Sequence, residues 1–180
     1  MMTSSHHFDS TPAGGFTLVE ALVAISMTAL AGSVLLLGVT SSLQNADEAY
    51  RQTVALGLAQ QLMDEVVGSS SIAEIDAYNG FGSTPPVDRW GVPLGSENGS
   101  GGQRHANFRV PTGLLDSFGR NVRVSRVAPS ELTVPLSAGQ ASDYRLVVVR
   151  VTYTAPNTPA RELVRLQRVV AKVLPYEPLP

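Results

Sequence analysis

Cysteine is absent from all 180 residues, which excludes a disulfide scaffold and any thiolate metal site. It does not exclude an extracytoplasmic domain, because exported domains also fold without disulfides. Histidine is scarce: His6, His7 and His105 are the whole supply. No G-x-S-x-G elbow, H-E-x-x-H pair or phosphate-binding loop occurs, and a lone His105 beside a Gly-rich stretch has no partners in a catalytic triad. The chain is therefore expected not to be an enzyme, and no cofactor is implied. Basic charge is also short, with a formal net charge of −2 that rules out a globally cationic nucleic-acid binder. The opening segment "MMTSSHHFDSTPAGG" contains neither Lys nor Arg. It lacks the basic start of a secretory signal, no A-x-A-type site follows the apolar stretch, and the positive-inside rule gives no orientation.

Charge that is present is unevenly placed. From Arg104 onward there are eleven Lys/Arg against five Asp/Glu, whereas before it there are two against ten. Such asymmetry suits either a partner-binding surface or cross-strand pairing.

From Phe16 the character changes. Between Glu20 and Asp47 lie 26 residues without a charge. A bilayer core of about 30 Å needs roughly 20 helical residues, so this run is long enough to span. The helix is expected to continue past the apolar run. In "QNADEAYRQTVALGLAQQLMDEVVG", residues 44–68, Tyr50, Val54, Leu58, Leu62 and Val66 recur every fourth position. Ala55, Ala59 and Met63 widen that stripe, and polar side chains take most of the rest. Gly68 with three serines behind it reads as a stop, giving one helix from Phe16 to Val67.

Glu20 is the anomaly. A carboxylate inside a membrane helix costs about 2.5–3.5 kcal/mol on insertion scales and is a functional hypothesis by default. Proximity to the helix N-terminus offsets part of that cost.

The stretch G-F-T-L-V-E-A-L-V-A-I resembles the class III signal and N-terminal helix of type IV prepilins and type II secretion pseudopilins. The likeness covers Gly15 to about Val67, and it is most specific at Gly15, Phe16, Thr17, Leu18, Glu20 and the apolar run. The leader here has only His6 and His7 in place of the family's usual basic residues, and no proline interrupts the apolar run. The resemblance implies cleavage between Gly15 and Phe16 by a prepilin peptidase and N-methylation of Phe16. It implies packing of the helix into a filament core, with Glu20 pairing with the new α-amine of a neighbouring subunit. The implied partners are other pilin or pseudopilin subunits, the inner-membrane assembly platform and the lipid bilayer. The implied place is the bacterial inner membrane as a single-pass protein with its C-terminal domain periplasmic, and then the assembled filament. Long Gly/Ser loops and the lack of a disulfide-closed C-terminal loop point to a minor subunit. The alternative from another class is a membrane-anchored periplasmic binding module that never enters a filament.

The expected organisation is a cleaved leader (1–15), a transmembrane half-helix (16–43), an amphipathic half-helix (44–68), a Gly/Ser/Pro-rich loop region (69–119) and a β-sheet region (120–180). In the loop region Asn79-Gly80, Pro85-Pro86 and Asn98-Gly99 signal turns, and Trp90, Tyr78 and Phe81 are expected to tack the loops to the domain. Asp76, Asp88, Glu97 and Asn98 offer oxygen ligands for calcium, though no loop spacing supports it. Strand patterns cover 121–127, 144–154 and 162–174, with Ala155–Pro159 as a hairpin turn and "HANFRV" as a further strand. The fold class expected is α+β, pilin-like: a long helix on an antiparallel sheet of three or four strands. Arg145, Arg150, Arg161, Arg165, Arg168 and Lys172 are expected to form a basic strand face. Nucleic acid is a weakly supported partner for it, since aromatics for base stacking are sparse.

Overall fold

The protein was analysed as a computed structural model, which describes residue 15, residues 17–111 and residues 113–171. One helix, α1, runs from Leu18 to Val67. The chain divides into two compact units, the first ending at Asp47 and the second beginning at Glu48.

In the first unit every described helical residue up to Asp47 is exposed, including Leu22, Ile25, Leu30, Leu35, Leu36 and Leu37. No other described residue covers that surface.

The second unit is an α+β domain. Glu48–Val67 supplies its helix, which ends where Gly68 N–H donates to Asp64 O at 2.8 Å. The three serines then do more than stop the helix. Ser71 caps a second helix, α2 (Ile72–Ala77), its Oγ accepting from Glu74 N–H at 3.3 Å. Glu74 reaches back to Ser70, accepting from its N–H at 2.9 Å and from its hydroxyl at 3.0 Å. This S-x-x-E capping arrangement ties down the first turn.

Five strands follow: β1 (Gly82–Ser83), β2 (Phe118–Ala128), β3 (Glu131–Pro135), β4 (Tyr144–Tyr153) and β5 (Arg161–Ala171). All pairings are antiparallel, in the order β1-β2-β4-β5, with β3 also on β2. The expected count of three or four is thus corrected to five. The additional strands are short. β1 has two residues, too few to show a period, and β3 is exposed along its whole length and so has no buried face to leave a pattern. "HANFRV" is not a strand: Ala106–Phe108 form one 3-10 turn, begun by His105 Nδ1 accepting from Asn107 N–H at 3.4 Å. The β4–β5 hairpin turns through Ala155–Thr158 as expected, with Asn157 in the left-handed region at φ 60°.

The core lies between helix and sheet. Ala55, Leu58, Ala59, Leu62, Met63 and Val66 from α1 join Phe118, Val122, Val124, Val147, Val149 and Val151 from β2 and β4. Val122 stands opposite Val149 and Val124 opposite Val147, which places the four on one sheet face. The small side chains Ala55 and Ala59 permit close packing there, and both are completely buried. Tyr50, expected in the same stripe, is 49% exposed and lies outside the core.

Candidate functional site

The first turn of α1 is built by Thr17. Its hydroxyl oxygen accepts from Glu20 N–H at 3.2 Å, and its carbonyl accepts from Ala21 N–H at 3.1 Å. Thr17 is therefore the N-cap and Glu20 the third helical residue, the spacing of a T-x-x-E capping box. Glu20 itself is exposed and, near the positive end of the helix dipole, is electrostatically well placed. That local role was readable from the four letters T-L-V-E. Gly15 is exposed, and Phe16 lies outside the described residues, as do the leader residues 1–14 with His6 and His7.

Beyond the cap, the apolar helix deals with its own hydroxyls. Ser26, Thr28 and Thr40 donate to the carbonyls of Leu22, Ala24 and Leu36 at 2.7–2.9 Å, and Ser33 donates to Leu30 O at 2.8 Å. A helix surrounded by hydrocarbon has no water to satisfy these groups, so bonding them to its own backbone removes the penalty of leaving them unpaired. Among the described residues this is the one helix long and apolar enough to cross a membrane.

In the sheet domain, the described arginines of the candidate basic strand face divide between the two faces of the sheet. Arg145 is buried on the helix side of the sheet and takes Asp76 in two hydrogen bonds. Arg161 donates to both carboxylate oxygens of Glu48 at 2.7 and 2.9 Å. Arg150 and Arg165 stand opposite each other on the outer face, and Arg168 pairs with Val147 on the helix side. Lys172 lies outside the described residues. Alternation along one edge strand sends neighbouring arginines to opposite faces, which a tally of basic residues cannot show.

The acids considered as calcium ligands are likewise dispersed. Asp76 serves Arg145. Asp88 Oδ1 accepts from Trp90 N–H and Val92 N–H at 2.9 and 2.8 Å, and Asn98 Oδ1 accepts from Ser100 and Gly102 N–H. Among the described residues, no three His, Asp or Glu side chains gather at metal-binding separation.

Sequence reasoning missed Arg120, which is only 2% exposed. Its Nη2 donates to Val87 O, while Nε and Nη1 have no hydrogen-bond partner among the described residues. Burial pushes its pKa down, and the nearby charges of Glu65, Asp88 and Glu97 oppose that shift. Arg120 thus ties Val87 to β2 by one hydrogen bond. Tyr78 and Phe81 pack edge-to-face at 5.8 Å on the core as expected. Trp90 does not: it is half exposed, with Arg89 4.7 Å above its ring and Gly101 against it.

Comparison with family models, curated proteins and solved structures gives no match to this chain.

Proposed function

We propose that this chain is a prepilin-type subunit, a minor pilin or pseudopilin, that enters a type IV pilus or type II secretion pseudopilus after removal of residues 1–15. The observation that carries this reading is the G-F-T-L-V-E signal leading directly into a helix whose apolar residues up to Asp47 are all exposed among the described residues. A surface of that size and composition needs lipid, other helices, or each in turn. A filament subunit uses both: bilayer before assembly, neighbouring helices after. On this reading the role is structural rather than enzymatic. The domain after residue 48 is extracytoplasmic, and Glu20 meets the α-amine freed at Phe16 of the next subunit.

Co-expression with a prepilin peptidase tests the reading. The expected product is shortened by the 15-residue leader and carries an N-methylated Phe16 by mass spectrometry. A membrane-resident chain that keeps its leader would instead support an anchored binding module. Deleting the chain and scoring piliation, DNA uptake and protein secretion side by side separates pilus from secretion machinery, since both use the same kind of helix.

A further inference from the structure

The outer face of the sheet, away from the α1 core, carries a depression of about 390 Å³ where β1, β2 and β4 lie side by side. Thr84, Asn121, Arg150 and Thr152 line it; Ser83 and Arg120 also border it, but their register assigns their side chains to the helix-side face, and no acidic residue lines it. Asn121 stands opposite Arg150, and Gly119 opposite Thr152, so these positions share one face. Gly119 leaves the floor without a side chain. A Cβ placed there would collide with the Thr84 hydroxyl oxygen and lie 2.9 Å from that of Thr152, so the two hydroxyls converge on one point. At Gly82 a Cβ would lie 3.0 Å from the Asn121 side-chain amide. None of Thr84, Thr152 or Asn121 has a side-chain hydrogen bond among the described residues.

Arg150 supplies the charge. Its nearest acid, Glu162, lies 3.7 Å from Nε, too far for a hydrogen bond. Arg165 occupies that carboxylate with two bonds of 2.8 and 3.1 Å. Arg150 Nε is shielded from solvent and makes no hydrogen bond among the described residues, its contact with Glu162 being an ion pair only. Arg123, diagonal to Arg150 on the same face, adds a second positive charge. A set of converging donors beside an under-used guanidinium is the arrangement that recognises an oxyanion.

We infer that this depression binds a carboxylate through Arg150, Thr84, Thr152 and Asn121. A carboxylate suits these donors, because its two coplanar oxygens can meet one edge of the Arg150 guanidinium and the neutral donors of Thr84, Thr152 and Asn121 together. The volume exceeds a carboxylate alone and has room for the residue or small molecule that bears it. The inference does not depend on filament assembly, and its test involves neither cleavage nor polymerisation.

The experiment is a titration of the full chain in detergent micelles, followed through the NMR signals of the Arg150 Nε–H and of the Gly119 and Asn121 backbone amides, the amides serving as the readout in the Arg150 variant. The probes are sodium acetate, acetyl-Gly-Asp-Gly-amide and inorganic phosphate at constant ionic strength. Saturable shifts of the Arg150 signal with acetate or the peptide are expected; tighter binding of the peptide identifies an acidic residue as the source, and equal binding a free organic acid. Arg150→Gln should weaken binding about tenfold or more. Thr152→Val, which keeps shape and removes one donor, should weaken it severalfold with an unchanged urea midpoint. Gly119→Ala should abolish it. Three results each overturn the proposal: no saturation with either carboxylate, tighter binding of phosphate, or binding that Arg150→Gln and Thr152→Val leave intact.

Discussion

Arg145 and Asp76 form a two-point pair across 69 residues of sequence, with Nε 2.5 Å from Oδ1 and Nη2 2.9 Å from Oδ2. The pair joins α2 to β4. Arg145 Nη1 is also occupied, donating to Ser142 O at 2.6 Å and Tyr144 O at 3.3 Å. The two partners are unequally buried: the arginine side chain is 6% exposed and the aspartate 36%.

That inequality sets the first prediction. Asp76→Ala strands a buried guanidinium and should cost about 3 kcal/mol, the low end for a broken buried pair. Arg145→Met leaves a carboxylate that water already reaches, so it should cost clearly less. Urea unfolding of the full chain in micelles, read by the fluorescence of the single Trp90, measures both; equal costs would contradict the burial argument. The pH dependence has a definite sign. The Arg145 hydrogen bonds hold the Asp76 carboxyl below its ordinary value, outweighing burial, which raises it. A depressed carboxyl contributes stability above its unfolded pKa of about 4 and loses it as pH falls below that. Asp76→Asn should flatten that part of the acid limb.

At the alkaline end the relevant pair is Tyr78 and Glu65, whose carboxylate accepts from the phenol at 2.9 Å. Burial first, and then Glu65, push the Tyr78 pKa up to about 12. The fold favours the neutral phenol, so its contribution is complete below the unfolded value of about 10 and disappears as pH rises toward 12. Spectrophotometric titration should show a late-titrating tyrosine that vanishes in Tyr78→Phe. If the late phase persists in that variant, the assignment is wrong.

The fold was legible where periodicity was long. The helix stripe through Leu58, Leu62 and Val66 and the valines of β4 announced both layers of the core, because burial on one face writes a repeat into the sequence. Short elements left no such trace. β1 exists through two backbone pairings at Gly82 and Ser83, and β3 buries nothing. Polar partnerships were legible only when local. The Ser71–Glu74 and Thr17–Glu20 spacings stood in the text, whereas Arg145–Asp76 and the donors around Arg150 come together only through strand register.

The core stripe gives a third prediction, since two of its expected members differ in burial. Leu62 is fully buried and Tyr50 half exposed. Leu62→Ala should cost about 2–5 kcal/mol through lost transfer energy and the cavity left behind. Tyr50→Ala should stay within about 0.5 kcal/mol, the range of surface substitutions. Urea midpoints of the two variants check it; a loss at Tyr50 as large as at Leu62 would contradict the difference in burial.

Glu20 has two separable roles, and the last prediction distinguishes them. As the third residue of α1 it follows the Thr17 cap, a position where glutamine serves as well as glutamate. As the proposed partner of a neighbouring α-amine it must carry a charge. Thr17→Ala should weaken the first turn by about 1 kcal/mol, the usual worth of an N-cap. Glu20→Ala should leave membrane insertion and leader removal intact and block incorporation into filaments. Glu20→Gln decides between the roles, because it keeps the shape and hydrogen-bonding capacity but not the charge. Incorporation is measured by the variant's fraction in sheared filaments relative to membranes. If Glu20→Gln fails like Glu20→Ala, the charge is the assembly determinant; if it assembles normally, the residue acts as a helix cap and the pairing proposal falls.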